Sequence, residues 1–151
     1  MNRTASFLLI FFLGNYCLGL VTTSVERPAV YTITLKITGI RNKSGRIQLQ
    51  VYRDQKNYAN QTPLKVYHIS KKDVKDHYLI YKLSGFSPGT YGLALLDDED
   101  SDSKMGYGLL MPKEGFGFSD YYHTGWSNPK FDDFKFDLHA DKSIKIQIRY
   151  L

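Results

Sequence analysis

The sequence predicts an all-β fold: a seven-stranded antiparallel β-sandwich of the immunoglobulin or prealbumin type, carrying one long ordered loop. Three observations predict it. Apolar residues recur at every second position in seven separate stretches, turn-forming residues divide those stretches, and no stretch sustains a 3.6-residue period beyond one or two helical turns. A chain of 151 residues, 42% hydrophobic and 23% charged, fits one ordinary domain and excludes collagen, coiled-coil and disordered-tail classes. Its 12 Tyr, 9 Phe and single Trp offer large side chains to bury, so a core forms without disulfides, and a lone Cys excludes an internal bridge.

In chain order, residues 1–19 come first as an address. One charge, Arg3, precedes the apolar run Phe7-Leu-Leu-Ile-Phe-Phe-Leu13, and smaller residues lead to Cys17-Leu18-Gly19. This is the pattern of a secretory signal peptide, with cleavage expected after Gly19. The apolar run is far shorter than the roughly 20 residues that span a bilayer, so no transmembrane anchor is expected. The expected location is outside the cytoplasm: secreted, periplasmic or at the cell envelope. Residues 20–29 read as a linker and 30–151 as the domain.

Tyr31, Ile33, Leu35 and Ile37 alternate with polar residues and predict the first strand; Ile47, Leu49 and Val51 predict the second. With the turn Arg41-Asn-Lys-Ser-Gly45 between them, the two read as an antiparallel hairpin. Further strands are predicted near 64–69, 78–83, 90–96, 134–138 and 144–150. The last places Ile144, Ile146, Ile148 and Tyr150 inward. Ser87-Pro88-Gly89 sets a tight turn before the fifth strand. Between Leu96 and Phe134 no strand pattern is seen, and a connection that long is commonly functional. Its aromatic content marks it as ordered. Phe116, Phe118, Phe131 and Phe134 are expected to close one end of the core, with Gly115 and Gly117 permitting a tight backbone path between the rings.

That connection opens on Asp97-Asp98-Glu99-Asp100-Ser101-Asp102, inside a chain of net charge +5. Like charges so close repel by roughly 0.5 kcal/mol per pair in water, so something must offset them. Asp98, Asp100 and Asp102 stand at alternate positions, the spacing by which a curled loop turns three oxygens toward one hard cation. The Lys104 carbonyl is in place for a fourth ligand and Glu114 for a return from further along. Oxygen-only ligation points to Ca²⁺ rather than zinc or copper. The spacing departs from an EF-hand, with Ser103 at the usual glycine and Leu109 at the closing Glu. A solvated acidic turn without metal is the competing reading.

The stretches Gly85-Phe-Ser-Pro-Gly-Thr-Tyr91, Met111-Pro-Lys-Glu-Gly-Phe-Gly-Phe-Ser119 and Asn128-Pro-Lys-Phe-Asp-Asp-Phe134, together with the acidic loop, resemble the DUF2141 family of exported bacterial proteins over about residues 30–150. The family's loop typically reads Asp-Glu-Asn-x-Asn-Gly-x-x-Asp. The resemblance puts its first three oxygen ligands on Asp98, Asp100 and Asp102, while Ser101, Ser103 and Gly106 depart from it and one ligand is missing. Any Ca²⁺ affinity is therefore expected to be weak, on the order of 10⁻⁴–10⁻³ M. The family has no established activity.

Catalysis is not expected. His68, His77, His123 and His139 are scattered, the mature chain has no thiol, and Gly115-Phe-Gly-Phe-Ser119 is not a hydrolase nucleophile elbow. Asp98 with Glu114 is a carboxylate pair of the kind a hydrolase uses, but nothing in the spacing fixes their separation. The stronger alternative is a carbohydrate- or protein-binding module in which Tyr121, Tyr122 and Trp126 stack on a ligand without metal. His123 beside them reads as a structural residue. Basic residues alternate along strands rather than cluster, so nucleic acid is not an expected partner. The expected partner is an envelope or extracellular protein or polysaccharide, and the expected state a monomer.

Overall fold

The computed structural model describes residues 28–105 and 113–151. The expected signal peptide and most of the linker lie outside these residues, as do Gly106 and Leu109. Among the described residues no helix is long and apolar enough to cross a membrane.

The fold is an open all-β sandwich of two sheets. Its strands are β1 (Tyr31–Thr38), β2 (Arg46–Tyr52), β3 (Lys65–Ser70), β4 (Tyr78–Phe86), β5 (Gly89–Asp98), β6 (Gly115–Phe118), β7 (Lys135–Leu138) and β8 (Lys142–Gln147), with short helices α1 (Gln55–Ala59) and α2 (Phe131–Phe134). One sheet has the order β4-β1-β8; the other runs β3-β2-β5-β6, and β7 also pairs with β5. The ten-residue β5 carries β6 along Ala94–Asp97 and β7 along Gly89–Gly92, so both close the same edge of one strand. Alternation sends Ile33, Leu35 and Ile37 of β1, Ile47, Leu49 and Val51 of β2, and Leu93 and Leu95 of β5 into one apolar layer with Ile144, Ile146 and Ile148. That layer supplies most of the hydrophobic stabilisation.

Four expectations about the strands are corrected. Eight strands are described instead of seven, because Gly115–Phe118 pairs with β5. The pairing is not wholly antiparallel, since β1 and β8 run parallel. The first two strands are not a hairpin: β1 pairs with β4 and β8, β2 with β3 and β5. Both bury an apolar face completely, and placing them in opposite sheets lets those faces meet across the core. Their connection bends at Gly39 and Gly45, both at positive φ, and a Cβ on Gly45 would lie 2.0 Å from the Asp98 carbonyl oxygen. The last strand is assigned Lys142–Gln147 rather than 144–150, and Arg149 continues as an isolated bridge to Phe116.

The aromatic residues expected to close the core end instead build a second cluster. Tyr52, Phe118, Phe131 and Phe134 are buried together, with Tyr58, Phe116 and Tyr121 against them. Tyr52, Ala94 and Phe118 belong to the alternation opposite to the inward set, so this cluster sits on the outer face of the larger sheet. Gly92 is what lets it approach, since a Cβ there would come 2.7 Å from the rings of both Phe131 and Phe134. Gly115 and Gly117 face the other way: Cβ atoms on them would meet Ile148 at 2.4 Å and Ile146 at 2.7 Å. They therefore make room for β8 rather than for the phenylalanines.

Candidate functional site

The acidic run lies at the end of β5, where strand alternation sends successive carboxylates to opposite faces. Asp97 points inward and is completely buried. Its Oδ1 accepts a 2.5 Å bond from the Nζ of Lys71, itself buried, and its Oδ2 accepts the Tyr150 hydroxyl at 2.5 Å. Burial, and then the hydrogen bond to Asp97, push the Tyr150 phenol well above its ordinary value, so it remains a donor. Asp98 points outward and is also buried. Directly opposite it in the β2–β5 register stands Arg46, whose Nε donates to Oδ2 at 2.8 Å. The same guanidinium donates to the Ser101 carbonyl at 2.9 Å and to the Ser103 hydroxyl.

Glu99 takes a third cation. Arg41 Nε and one terminal nitrogen donate to its two oxygens at 2.7 Å each, a bidentate pair, and Asn42 adds a bond at 2.8 Å. The Arg41 hydrogen bond holds the Glu99 carboxyl below its ordinary value, against the opposing effect of burial.

The structure brings Asp98, Asp100 and Asp102 together, with one carboxylate oxygen of each within 4.8 Å of the others. The loop curls through positive φ at Ser101 and Ser103. Asp100 accepts the Asp102 N–H at 3.1 Å and Asp102 the Lys104 N–H at 2.7 Å. Glu114 is outside this group of three. It is buried, and its Oε1 accepts the Glu99 N–H at 2.9 Å. The oxygen set is suited to a hard cation, but a guanidinium already stands on Asp98.

Further along the same outer face, β2, β5 and β6 form the floor of a groove of ≈ 1020 Å³. Gln48 and Gln50 supply its carboxamides, Phe116 and Tyr58 its ring faces, and the segment from His123 to Lys130 its far side. Trp126 stands at this segment 84% exposed. Gln48 is only 6% exposed, and its carboxamide makes no hydrogen bond to any described residue. The Oε1 of Gln50 accepts the Tyr52 hydroxyl at 2.7 Å. The segment is tied down by Arg149, which donates to the His123 carbonyl at 2.9 Å and the Gly125 carbonyl at 3.1 Å. His123 packs among Phe116, Phe118 and Tyr121, with a buried Nδ1 that has no partner.

Of the expected ligand-binding aromatics, Trp126 lines the groove, Tyr122 is exposed, and Tyr121 is half-buried against the second cluster. Sequence reading missed Arg46, Arg41 and Lys71 as partners of the acidic run, and it missed Gln48 and Gln50. The two glutamines carried a signal, since they share the outward side of β2.

A family model described as an uncharacterized protein conserved in bacteria, DUF2141, matches residues 35–147. No curated protein and no solved structure matches the chain.

Proposed function

This chain belongs to the DUF2141 family, and from that premise we propose that it is an exported, non-catalytic recognition module whose ligand lies in the groove on the outer face of the larger sheet. The observation that carries this reading is Trp126, a large aromatic left 84% exposed on a segment that Arg149 anchors. Exposing an indole without purpose is unfavourable, and rigid aromatics beside a concave surface are the usual anchors of recognition. The apolar run of residues 7–13 supports export to the envelope or beyond. The scaffold is one we liken to immunoglobulin and prealbumin sandwiches, in which loops and a sheet face serve binding.

The two carboxylates weighed for hydrolysis both have structural work, Asp98 with Arg46 and Glu114 with the Glu99 N–H, which favours binding over turnover. The test is co-sedimentation of the mature chain with envelope and cell-wall fractions. Retention that Trp126→Ala abolishes, with no soluble product released from the fraction, is expected. Steady product release lost in Glu114→Gln would overturn the reading.

A second reading, a weak Ca²⁺ site in the acidic loop, is favoured by the approach of Asp98, Asp100 and Asp102 to within 4.8 Å. Arg46 competes for Asp98, so affinity in the ~10⁻⁴–10⁻³ M range is the most this loop would reach. A rise in melting temperature at millimolar Ca²⁺, lost in the Asp100→Asn, Asp102→Asn double variant, is the expected result. No shift in the unmodified protein removes the metal.

A further inference from the structure

We infer that the groove takes a neutral glycan chain, an inference that rests on the groove being the recognition site and narrows the chemistry of what enters it. Carboxamides are the commonest polar side chains lining it: Gln48, Gln50, Gln55, Gln61 and Asn128. No Asp or Glu side chain is among the described lining residues, and the two lysines, Lys104 and Lys130, are exposed where water screens them. Each carboxamide offers a donor and an acceptor on one rigid plane, which matches sugar hydroxyls that both give and accept hydrogen bonds.

Two of these amides are already oriented by the protein. The Oε1 of Gln50 is taken by Tyr52 at 2.7 Å, and the Oε1 of Gln55 by the Phe131 N–H at 2.7 Å, so that among the described residues each leaves its NH₂ group as the unpaired donor. Gln48 is different. The residue is 6% exposed and lines the groove, and its carboxamide has no hydrogen-bond partner among the described residues, so it is open to whatever fills the groove. With no protein partner, that carboxamide is free to donate to and accept from the hydroxyls of a chain lying in the groove.

The ring faces complete the argument. Pyranose rings present C–H faces that stack on aromatic planes, and Trp126 at the groove carries an indole almost wholly free for that contact. A protein partner would call for a broad apolar core at the contact, whereas here five amides share the lining with the rings and aliphatic side chains. A volume of ≈ 1020 Å³ lies at the upper end of the range for small-molecule pockets and suits several sugar units in a row.

Trp126 is the sole tryptophan in the chain, so its emission reports directly on the groove. The full chain is titrated with neutral hexasaccharides (cello-, chito-, manno- and xylohexaose), with acidic oligogalacturonate, and with a mixed peptide library. A saturable emission shift with at least one neutral hexasaccharide is expected. In calorimetry, Gln48→Leu weakens it roughly tenfold, as loss of one hydrogen bond implies, and Trp126→Ala removes it. The Gln48→Leu protein keeps its melting temperature, because no hydrogen bond to a described residue is lost and the replacement has a similar volume. A response to oligogalacturonate or peptides alone overturns the neutral glycan and leaves the groove as a recognition site. No response in any arm overturns both readings. Neutral-glycan binding that survives both substitutions places the contact elsewhere and overturns the inference.

Discussion

The acidic end of the β2–β5 pair and the groove beside it share one sheet yet treat their polar groups in opposite ways. At the acidic end three consecutive carboxylates each receive a separate cation, Asp97 from Lys71, Asp98 from Arg46 and Glu99 from Arg41. In the groove the Gln48 carboxamide has no partner among the described residues, the His123 Nδ1 is covered without one, and the indole of Trp126 stands in solvent. The difference separates groups the fold uses for itself from groups it leaves for something else. The first three carboxylates of the charge run, Asp97, Asp98 and Glu99, are met in space by the protein's own basic side chains, whereas Asp100 and Asp102 accept backbone N–H groups.

The largest expected effect breaks the closed side of this comparison. Lys71→Met keeps most of the side-chain volume but leaves the Asp97 carboxylate buried with only the Tyr150 hydroxyl. Breaking a buried pair from one side costs about 3–5 kcal/mol, because the remaining charge is uncompensated. Urea unfolding of Lys71→Met checks this. Adding Asp97→Asn to it should recover more than half of the loss. A single-variant loss below about 1 kcal/mol would mean that water reaches the pair and the site is not closed.

Next in size is Gly117→Ala, which tests whether the β6 edge is packed as tightly as the acidic end is paired. The new Cβ would meet Ile146 Cγ2 at 2.7 Å and the Gln147 carbonyl oxygen at 2.9 Å. The second contact is backbone and cannot swing aside, so overpacking of about 1–3 kcal/mol is expected, read as a lowered denaturation midpoint at unchanged slope.

Acid sharpens the contrast at its exposed rim. Arg41 holds the folded-state Glu99 carboxyl below its ordinary value, so the unfolded chain takes up the proton first. The contribution is therefore complete above the unfolded-state value and is lost as pH falls through the depressed folded one. Arg41 is 46% exposed, which limits the pair to about 0.2–1 kcal/mol. Glu99→Gln should be less stable than the parent by that amount at neutral pH, and the two unfolding curves should converge below about pH 4. A gap that persists in acid would assign the effect to packing instead of charge.

Much of the scaffold was legible along the chain because strand alternation is a local signal. Ile33, Leu35, Ile37, Ile144, Ile146 and Ile148 all occupy the core that their spacing requires. The sheet membership of β1 and β2 was not legible, since a short connection serves equally within a sheet or across the sandwich. Strand β6 was hidden because its inward positions are glycines, which carry no apolar signal, while the volume they vacate is filled by β8. The convergence of Asp98, Asp100 and Asp102 followed from their spacing. The Arg46 guanidinium among them did not, because only the β2–β5 register sets it opposite Asp98. Gln48 illustrates the same limit: its outward direction was visible, but its lack of a partner depends on which side chains surround it.

The smallest stability effect carries the most functional information. Trp126 is 84% exposed, and removal of so exposed a side chain should leave the folded state within about 0.5 kcal/mol of the parent. The segment that carries it is held through main-chain carbonyls of His123 and Gly125, to which Arg149 donates, and those bonds do not involve the indole. Thermal unfolding of Trp126→Ala should therefore superpose on the parent curve while retention on envelope fractions disappears. A loss of stability well above 1 kcal/mol would show that the indole packs against the groove and serves the fold. Trp126 would then join the acidic run on the closed side of the comparison, and the contrast between the two regions would fail at its most exposed residue.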